Sequence, residues 1–179
     1  MANNKIKEAF FSKATIEDVQ ALNKLVNSAY RGETAKLGWT HESDLLTGIR
    51  IDDEELHKLI NAKGTSIIKF TDDNEILACM LLEQQDGALY LGMLTVSPVL
   101  QGKGIGKKML EEAEKEAVLL NISKIRMTVI SSREELINWY KRRGYKDTGL
   151  IRPFPSDSKK FGLPMMPLQF IVMEKEISL

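Results

Sequence analysis

The chain has 179 residues, 43% of them hydrophobic, so it is long and apolar enough to form one domain with a packed core rather than a disordered chain. We expect a single domain over residues 1–179, with its core at about 15–176. The 25 basic residues balance the 25 acidic residues, so no overall charge recruits nucleic acid or an anionic membrane, and any anion site must be local.

The first predicted element is a helix from Thr15 to about Tyr30. Thr15 and Asp18 have the spacing of a capping box, and apolar residues follow at helical intervals. After an irregular segment, Asp52 opens a second short helix with the same capping pattern, and Gly64 ends it. Two helices are therefore expected before the first strand.

Three runs of strand-like composition come next, at Ile67–Phe70, Ile76–Glu83 and Ala88–Val96. Polar turn residues separate them, which predicts an antiparallel meander. Pro98 ends the third strand, because proline cannot donate a hydrogen bond to a neighbouring strand. The only cysteine, Cys79, lies in the second run and is expected to be a small core residue rather than a nucleophile.

Helices and strands alternate in the second half of the chain. Ser132 and Glu135 form a third capping-box pattern, and Gly144 closes the helix that they open. Four of the five prolines lie within Ile151–Pro167, which predicts a loop rather than a linker to another domain. The predicted elements are a helix from Gly104 to about Leu120, a strand at Lys124–Val129, a helix from Ser132 to Arg143, and strands at Tyr145–Gly149 and Leu168–Ile177.

The order of these elements predicts an α/β fold. It has a mixed central sheet with a three-strand antiparallel meander, flanked by helices. No apolar run approaches membrane-spanning length, and the segment Met1–Phe11 is polar and charged, so a cytoplasmic location is expected.

A glycine-rich segment, Gln101-Gly102-Lys103-Gly104-Ile105-Gly106, lies where the strand ending at Val96 meets the next helix. Glycine lets an oxygen-rich ligand approach the backbone closely, and the unpaired amides of a helix N-terminus favour negative charge. Lys103, Lys107 and Lys108 add positive charge at the same end, where acidic residues are usually preferred. The segment is therefore a candidate pyrophosphate cradle, although its spacing alone is equally typical of a tight loop that opens a helix.

Two other phosphate-binding motifs fail on the same segment. A dinucleotide-binding fingerprint needs a third glycine three residues beyond Gly106, where Met109 stands. A nucleoside-triphosphate loop needs a glycine where Gln101 stands and a serine or threonine where Lys108 stands. A nucleotide-binding module is therefore disfavoured. With two histidines and one cysteine to supply ligands, no metal site is predicted either.

Two motifs together resemble those of the Gcn5-related N-acetyltransferase (GNAT) family. Val96-Ser97-Pro98 followed by Gln101–Gly106 is similar to the family's central motif, a Val and a Pro after a strand and then Gln/Arg-x-x-Gly-x-Gly/Ala opening a helix. Tyr140, four residues before Gly144-Tyr145, is similar to the second signature. The resemblance spans roughly residues 15–176, agrees with the predicted order of elements, and implies an acetyl-coenzyme A (acetyl-CoA)-dependent acyltransferase.

The resemblance implies a role for each matched position. The strand before Pro98 would splay at a bulge, and its backbone at Leu94, Thr95 and Val96 would pair with the pantetheine arm of the cosubstrate. Tyr140 would protonate the departing thiolate, since a tyrosine with a pKa near 10 stays protonated at neutral pH. The pyrophosphate cradle would consist of Gln101, Gly102, Lys103, Gly104, Ile105, Gly106 and Lys107.

The chain departs from the family pattern at two positions. Arg133 stands seven residues before Tyr140, where the family often has an asparagine that contacts the cofactor arm, so Arg133 is expected to be an altered cofactor contact. Thr128 stands where some protein N-terminal acetyltransferases of the family carry a glutamate base. This second departure argues against carrying over a peptide-acetylating activity, and it keeps open a sensor domain that binds acetyl-CoA without turnover.

The leading prediction is an N-acetyltransferase in which a primary amine, of a small molecule or a protein, attacks acetyl-CoA directly in a ternary complex. A homodimer is compatible with the resemblance. Trp39 would either wall the acceptor pocket or fill a gap between the first helices. The general base is not identified, because each acidic or histidine candidate is more often an ordinary surface group. These candidates are Glu33, His41, Glu42, Asp44 and Glu83, and those for an apolar acceptor pocket are Phe154, Phe161, Met165 and Met166.

Overall fold

One mixed sheet organises the computed structural model, which describes residues 8–155 and 162–179. Its strands are β1 (Phe10–Lys13), β2 (Thr65–Asp72), β3 (Glu75–Gln85), β4 (Ala88–Val96), β5 (Lys124–Ile130), β6 (Lys146–Pro153) and β7 (Gln169–Glu176). They lie side by side in the order β1-β2-β3-β4-β5-β7-β6. Neighbouring strands are antiparallel except β4 and β5, which are parallel. The predicted α/β class and the β2-β3-β4 meander are therefore confirmed.

Helices cover both faces of this sheet. Those of the described residues are α1 (Val19–Tyr30), α2 (Asp53–Asn61), α3 (Ile105–Leu119) and α4 (Glu134–Lys141). Leu22 of α1 and Leu56 of α2 share one core with Cys79, while Met109 of α3 and Tyr140 of α4 belong to the core on the other face. Successive residues of β3 point to alternate cores, which explains why this strand is apolar on both sides. Within the described ranges no helix has both the length and the apolar character needed to cross a membrane.

The expected role of Cys79 is confirmed by its position. Its side chain is fully buried beneath α1 and α2, in the core that it shares with Leu22. Burial raises the pKa of the Cys79 thiol to about 12, because the thiolate would be poorly solvated there. A thiol that stays protonated at neutral pH is a poor nucleophile.

Two predicted helix caps are found where the sequence places them. The Asp18 carboxylate accepts a hydrogen bond from the Thr15 amide at 2.8 Å, and a 3-10 turn then leads into α1. The Asp52 carboxylate accepts from the Glu55 amide at 2.8 Å and caps α2. Each carboxylate satisfies an amide that has no partner within its helix, which fixes where the helix begins.

The third predicted cap, Ser132 with Glu135, is wrong. Helix α4 begins at Glu134, its N-cap residue is Arg133, and no side chain caps it. The Arg133 amide donates instead to the carbonyl of Ile130 at 3.0 Å, so the chain makes a tight turn directly after β5. This turn shifts the start of the helix beyond the reach of the Ser132 hydroxyl.

Two predictions about strands are also wrong. Strand β1 was not expected, and it precedes both N-terminal helices as an edge strand paired with β2. Residues 151–153 were assigned to a loop, but Ile151 and Pro153 lie in β6, opposite Ile171 and Gln169 of β7. Because β6 is the last strand of the sheet, Pro153 can occupy it with its missing donor turned outward.

The parallel strands β4 and β5 separate soon after they meet. Their pairing is confined to Leu89 with Ile125 and Tyr90 with Arg126. Beyond this point β4 carries a bulge, because Met93 has a positive φ of 50° and the register with β3 shifts. The strand before Pro98 therefore splays as the family resemblance implied, and it leaves an opening between two adjacent strands.

Candidate functional site

Two cavities of the described chain adjoin each other beside the bulged end of β4. We call the first the glycine cavity, because Gly102, Gly104 and Gly106 line it. We call the second the arginine cavity, because Arg31, Arg50 and Arg133 line it. Each has a volume of about 260 Å³. The residues common to both linings, here named the shared wall, are Tyr30, Leu94, Arg133, Leu136 and Tyr140.

The glycine cavity is bordered by the backbone at the start of α3. Gly102 and Gly104 have φ values of 78° and 84°, a conformation that side chains disfavour, and a Cβ added to either would meet nothing within 4 Å. The first helical hydrogen bond runs from the Lys108 amide to the Gly104 carbonyl at 3.2 Å. The amides of residues 105–107 thus lack a partner within the helix and are available to an anion.

The remaining residues of the predicted cradle have different positions. Lys107 lines the glycine cavity, whereas Lys103 is exposed and is not part of its lining. The Ile105 side chain is buried in the core, so this residue offers a ligand only its backbone amide. A Cβ added to Gly106 would lie 3.1 Å from Trp139, which means that its small size serves helix packing.

The Gln101 side chain connects the glycine loop to the end of β4. Its amide group donates to the Val96 carbonyl at 3.3 Å. Gly38 packs directly against this side chain, and a Cβ added there would lie 2.7 Å from Cδ of the Gln101 side-chain amide. Sequence reasoning did not identify Gly38, because its importance depends on a contact with a distant segment.

The end of β4 forms one side of the glycine cavity through Leu94, Thr95 and Val96. The Leu94 carbonyl accepts a hydrogen bond from the Tyr30 hydroxyl at 3.0 Å, which links α1 to the bulged strand. The Thr95 hydroxyl donates to the Met93 carbonyl at 2.9 Å within the bulge. Since pairing with β5 stops earlier in the strand, this edge of β4 has no strand partner among the described residues.

Tyr140 lies at the centre of the shared wall. Its ring packs edge-on against Trp139 and Tyr145, with centroids 5.1 Å and 5.8 Å away. Burial raises the pKa of Tyr140 well above its usual value near 10. The phenol is therefore protonated at neutral pH, and it faces both cavities.

Aromatic and cationic side chains close the far side of the glycine cavity. The Arg143 guanidinium lies 3.8 Å from the centre of the Trp139 ring and also donates to the Trp139 carbonyl at 2.9 Å. Trp39 approaches the same ring at 6.2 Å. Trp39 therefore lines the glycine cavity and not the arginine cavity, and its predicted place in the wall of an acceptor pocket remains a prediction.

The arginine cavity contains a buried ion-pair network. Glu42 lies between two guanidiniums, 3.3 Å from Arg31 and 3.2 Å from Arg133. Arg133 also donates to the Thr40 hydroxyl at 2.6 Å. Arg133 thus borders both cavities but is held by protein groups, and its predicted contact with the cofactor remains a prediction.

Of the candidate bases, Glu42 is the one that lines a cavity. Glu83 accepts a hydrogen bond from Gln85 at the far end of β3, and Glu33 pairs with Lys36 at 2.7 Å on the surface. The remaining candidates, His41 and Asp44, also lie outside both linings.

Thr128, the second departure from the family pattern, lines the arginine cavity. Its hydroxyl shares a hydrogen bond of 3.2 Å with the Tyr90 hydroxyl. Phe154 also lines this cavity and stacks on Phe170 at 5.3 Å, and its predicted contact with an acceptor remains a prediction. Of the other apolar candidates, Met165 and Met166 are about half exposed and line neither cavity, and Phe161 lies outside the described residues.

Comparison with known proteins points to one family. The family described as Acetyltransferase (GNAT) domain matches residues 42–155. The structure of the ribosomal-protein-S18-alanine N-acetyltransferase from Escherichia coli has a TM-score of 0.71 and 16% identity, over 96% of each chain. PaiA N-acetyltransferase from Thermoplasma acidophilum, solved in complex with coenzyme A, has a TM-score of 0.68 and 20% identity, over 95% of this chain and 99% of that one. At these identities the two structures establish a common fold.

Among curated proteins, the uncharacterized protein YxbD of Bacillus subtilis (strain 168) is similar to part of the chain. It is 28% identical over 75 residues, which are 42% of this chain and 46% of that protein. The match therefore spans about half the length of this relative.

Proposed function

Because the chain belongs to the GNAT family of acetyltransferases, we propose that it transfers the acetyl group of acetyl-CoA to a primary amine, of a small molecule or a protein, by direct attack in a ternary complex. The observation that carries this proposal is the shared wall, in which Tyr140 borders both cavities. An acetyl donor in the glycine cavity and an amine in the arginine cavity would meet beside the Tyr140 hydroxyl. Holding two reactants in this way replaces a bimolecular encounter and removes a large part of the barrier.

The glycine cavity suits the diphosphate of coenzyme A. Gly102 and Gly104 leave the backbone accessible to a ligand. The amides of residues 105–107 have no partner within the helix, and a helix N-terminus favours a bound anion. Each hydrogen bond to a charged group contributes about 1.5–3 kcal/mol, so three amides are enough to anchor a diphosphate. The bound cosubstrate would supply the reactive thioester. The unpaired edge of β4 at Leu94–Val96 is available to its pantetheine arm.

Tyr140 is the proposed proton donor to the leaving sulfur. As the new carbon–nitrogen bond forms and the carbon–sulfur bond breaks, the nitrogen loses a proton and the sulfur gains one. The raised pKa of Tyr140 keeps its hydroxyl protonated, so it can donate a hydrogen bond as charge develops on sulfur. Among the described residues that line the arginine cavity, Glu42 is the only carboxylate, and both its oxygens are paired with arginines. We therefore expect water, rather than a carboxylate, to accept the proton of the amine.

The test of this function is the release of free thiol when acetyl-CoA is mixed with a panel of primary amines. Replacing Tyr140 by Phe should lower turnover about 10²- to 10⁴-fold, the usual contribution of a positioned acid. The affinity for coenzyme A, measured by calorimetry, should change less than about twofold, because the ring and its packing remain.

Tyr145→Phe provides a matched control for this substitution. Tyr145 is a buried neighbour of Tyr140, lies outside both linings, and has a hydroxyl without a hydrogen-bond partner in the described structure. Its loss should leave turnover unchanged. Wild-type turnover of Tyr140→Phe across the pH range would contradict the acid role. Tight binding of acetyl-CoA without thiol release from any amine would instead support the sensor domain.

A further inference from the structure

The charges that line the arginine cavity are unbalanced. They comprise the guanidiniums of Arg31, Arg50 and Arg133 and the single carboxylate of Glu42. Arg31 and Arg133 share this carboxylate, at 3.3 Å and 3.2 Å. Arg31 also donates to the Ile49 carbonyl at 2.6 Å, so it holds the neighbouring loop. Two of the three cations are thus engaged by the protein itself.

Arg50 has a different environment. Its side chain is half-buried, and its guanidinium lies over the Tyr30 ring, 5.3 Å from the centroid. Within residues 8–155 and 162–179, no carboxylate lies at ion-pair distance from it. A guanidinium presents five donors in a planar fork that matches the two oxygens of a carboxylate. The cavity therefore exposes a donor set that an anionic ligand would satisfy.

The segment that carries Arg50 is fixed in place. The amides of Arg50 and Ile51 both donate to the side-chain oxygen of Asn27, at 2.7 Å and 3.3 Å. The side-chain nitrogen of Asn27 returns a hydrogen bond to the Ile51 carbonyl at 2.9 Å. Three hydrogen bonds thus attach this loop to α1, so Arg50 projects from a preorganised backbone and little ordering is needed when a ligand binds.

We propose that the acceptor is a small amine that carries a carboxylate, and that Arg50 binds this carboxylate while the amine faces Tyr140. The proposal rests on the proposed acetyltransferase function and specifies its substrate class. The arginine cavity, at about 260 Å³, lies below the range of about 300–1,000 Å³ typical of drug-sized ligands, which suits an amine of amino-acid size. Met127, Phe154 and Phe170 supply apolar walls for the rest of the acceptor.

The first experiment compares matched amines on the wild-type protein. Alanine and alaninamide differ in the carboxylate, and phosphoethanolamine and ethanolamine differ in a phosphate. We expect kcat/KM for alanine to exceed that for alaninamide by about tenfold or more, since a hydrogen-bonded charge pair contributes at least that factor. A preference for phosphoethanolamine over both alanine and ethanolamine would assign the anion site to phosphate and overturn the carboxylate.

The second experiment changes Arg50 itself. Arg50→Gln should raise KM for alanine about 10- to 100-fold while leaving kcat/KM for alaninamide near the wild-type value. Arg50→Lys keeps the charge but not the fork, so it should recover part of the loss. Arg142→Gln is the matched control, because Arg142 is exposed on α4's C-terminal turn and lines neither cavity. Circular dichroism checks that each variant is folded.

The outcomes separate this inference from the function on which it rests. Thiol release with alaninamide and alanine at equal efficiency, unaffected by Arg50→Gln, would overturn the carboxylate site and leave the acetyltransferase intact. Folded protein that binds acetyl-CoA but acetylates none of the four amines, nor any in the wider panel, would overturn both. An equal loss on alanine and alaninamide in Arg50→Gln would show that Arg50 only supports Tyr30, which also contradicts the proposal.

Discussion

The glycine cavity and the arginine cavity have the same volume, about 260 Å³, but they are built from different parts of the chain. The first is bordered by backbone at the end of β4 and the start of α3, and side chains from α1, the Trp39 loop and α4 close it. The second is formed by side chains that come from loops near Arg31, Glu42 and Arg50 and from strands β4, β5 and β7. The two therefore place different demands on the sequence.

This difference indicates how the two ligands would be recognised. Backbone amides recognise what is common to every coenzyme A molecule, a diphosphate, and a backbone motif tolerates change in its other side chains. The side chains of the arginine cavity would recognise what distinguishes one acceptor from another, because specificity resides in the side chains of a site rather than in the fold. Substitutions in the two cavities should accordingly have separable effects.

The largest expected effect is that of Gly104→Asp. It places a carboxylate where phosphate oxygens would lie, so we expect the affinity for coenzyme A to fall more than about 100-fold, from the loss of at least two charged hydrogen bonds. Calorimetric titration measures it. Gly87→Asp is the control, because Gly87 has a similar φ of 73° and equally open surroundings, but lies in the β3–β4 turn. Equal affinities in the two variants would refute the cradle.

The next effect concerns the stability of the arginine cavity. Glu42→Gln leaves Arg31 and Arg133 without their carboxylate, and breaking such a buried network should lower the free energy of unfolding by about 3 kcal/mol. Denaturant titration measures this change. The matching change in a surface pair, Glu33→Gln opposite Lys36, should leave stability unchanged. If Glu42→Gln unfolds like the wild type, the network does not hold this cavity together.

A smaller effect is expected from Gly38→Ala, which tests whether a distant residue supports the glycine cavity. The added methyl group would displace the Gln101 side chain, which can move, so stability should change little. The cradle should lose its anchor at Val96, and coenzyme A should bind up to about tenfold more weakly. In a Gln101→Ala background the same substitution should have no effect on affinity, because the side chain that it displaces is gone. If Gly38→Ala weakens coenzyme A binding equally in that background, the loss does not arise from displacement of the Gln101 side chain.

The smallest effect belongs to the shared wall and appears at high pH. Burial raises the pKa of Tyr30 to about 12 and also raises that of Tyr140, whereas tyrosines in the unfolded chain ionise near 10. The folded state retains these protons more tightly, so this stabilisation is complete below pH 10 and is lost as the pH rises toward 12. At pH 11 we expect Tyr30 alone to cost about 1 kcal/mol of stability. Equal unfolding free energies at pH 8 and pH 11 would contradict this, and Tyr30→Phe should reduce the difference.

The sequence was sufficient to predict the features that depend on adjacent residues. The caps at Thr15 and Asp52, the meander and the open glycines at Gly102 and Gly104 are all set by local spacing, and the structure places them as expected. Strand β1 escaped prediction because it has only four residues and pairs with β2 about sixty positions away, as Phe10 does with Thr71.

The arginine cavity could not be predicted for a related reason. Nothing near Arg50 in the sequence distinguishes it from the other arginines. Its position depends on a hydrogen bond to Asn27, which is distant in the sequence. Its guanidinium is left to a ligand because Glu42 pairs with Arg31 and Arg133 instead. Ser132 shows the opposite error. A valid local pattern was overridden because the chain turns sharply after β5, with the Arg133 amide bonded to Ile130.

The shared wall has a practical consequence for anyone who wishes to redesign this protein. Arg133 lines both cavities and is hydrogen-bonded to Glu42 and Thr40, so a substitution there should disturb both of the proposed sites at once. Positions such as Arg50 and Tyr90 border only the arginine cavity, the proposed acceptor site. Libraries aimed at new amines should therefore vary such positions and keep the residues of the shared wall unchanged, so that the proposed acetyl-CoA site is preserved.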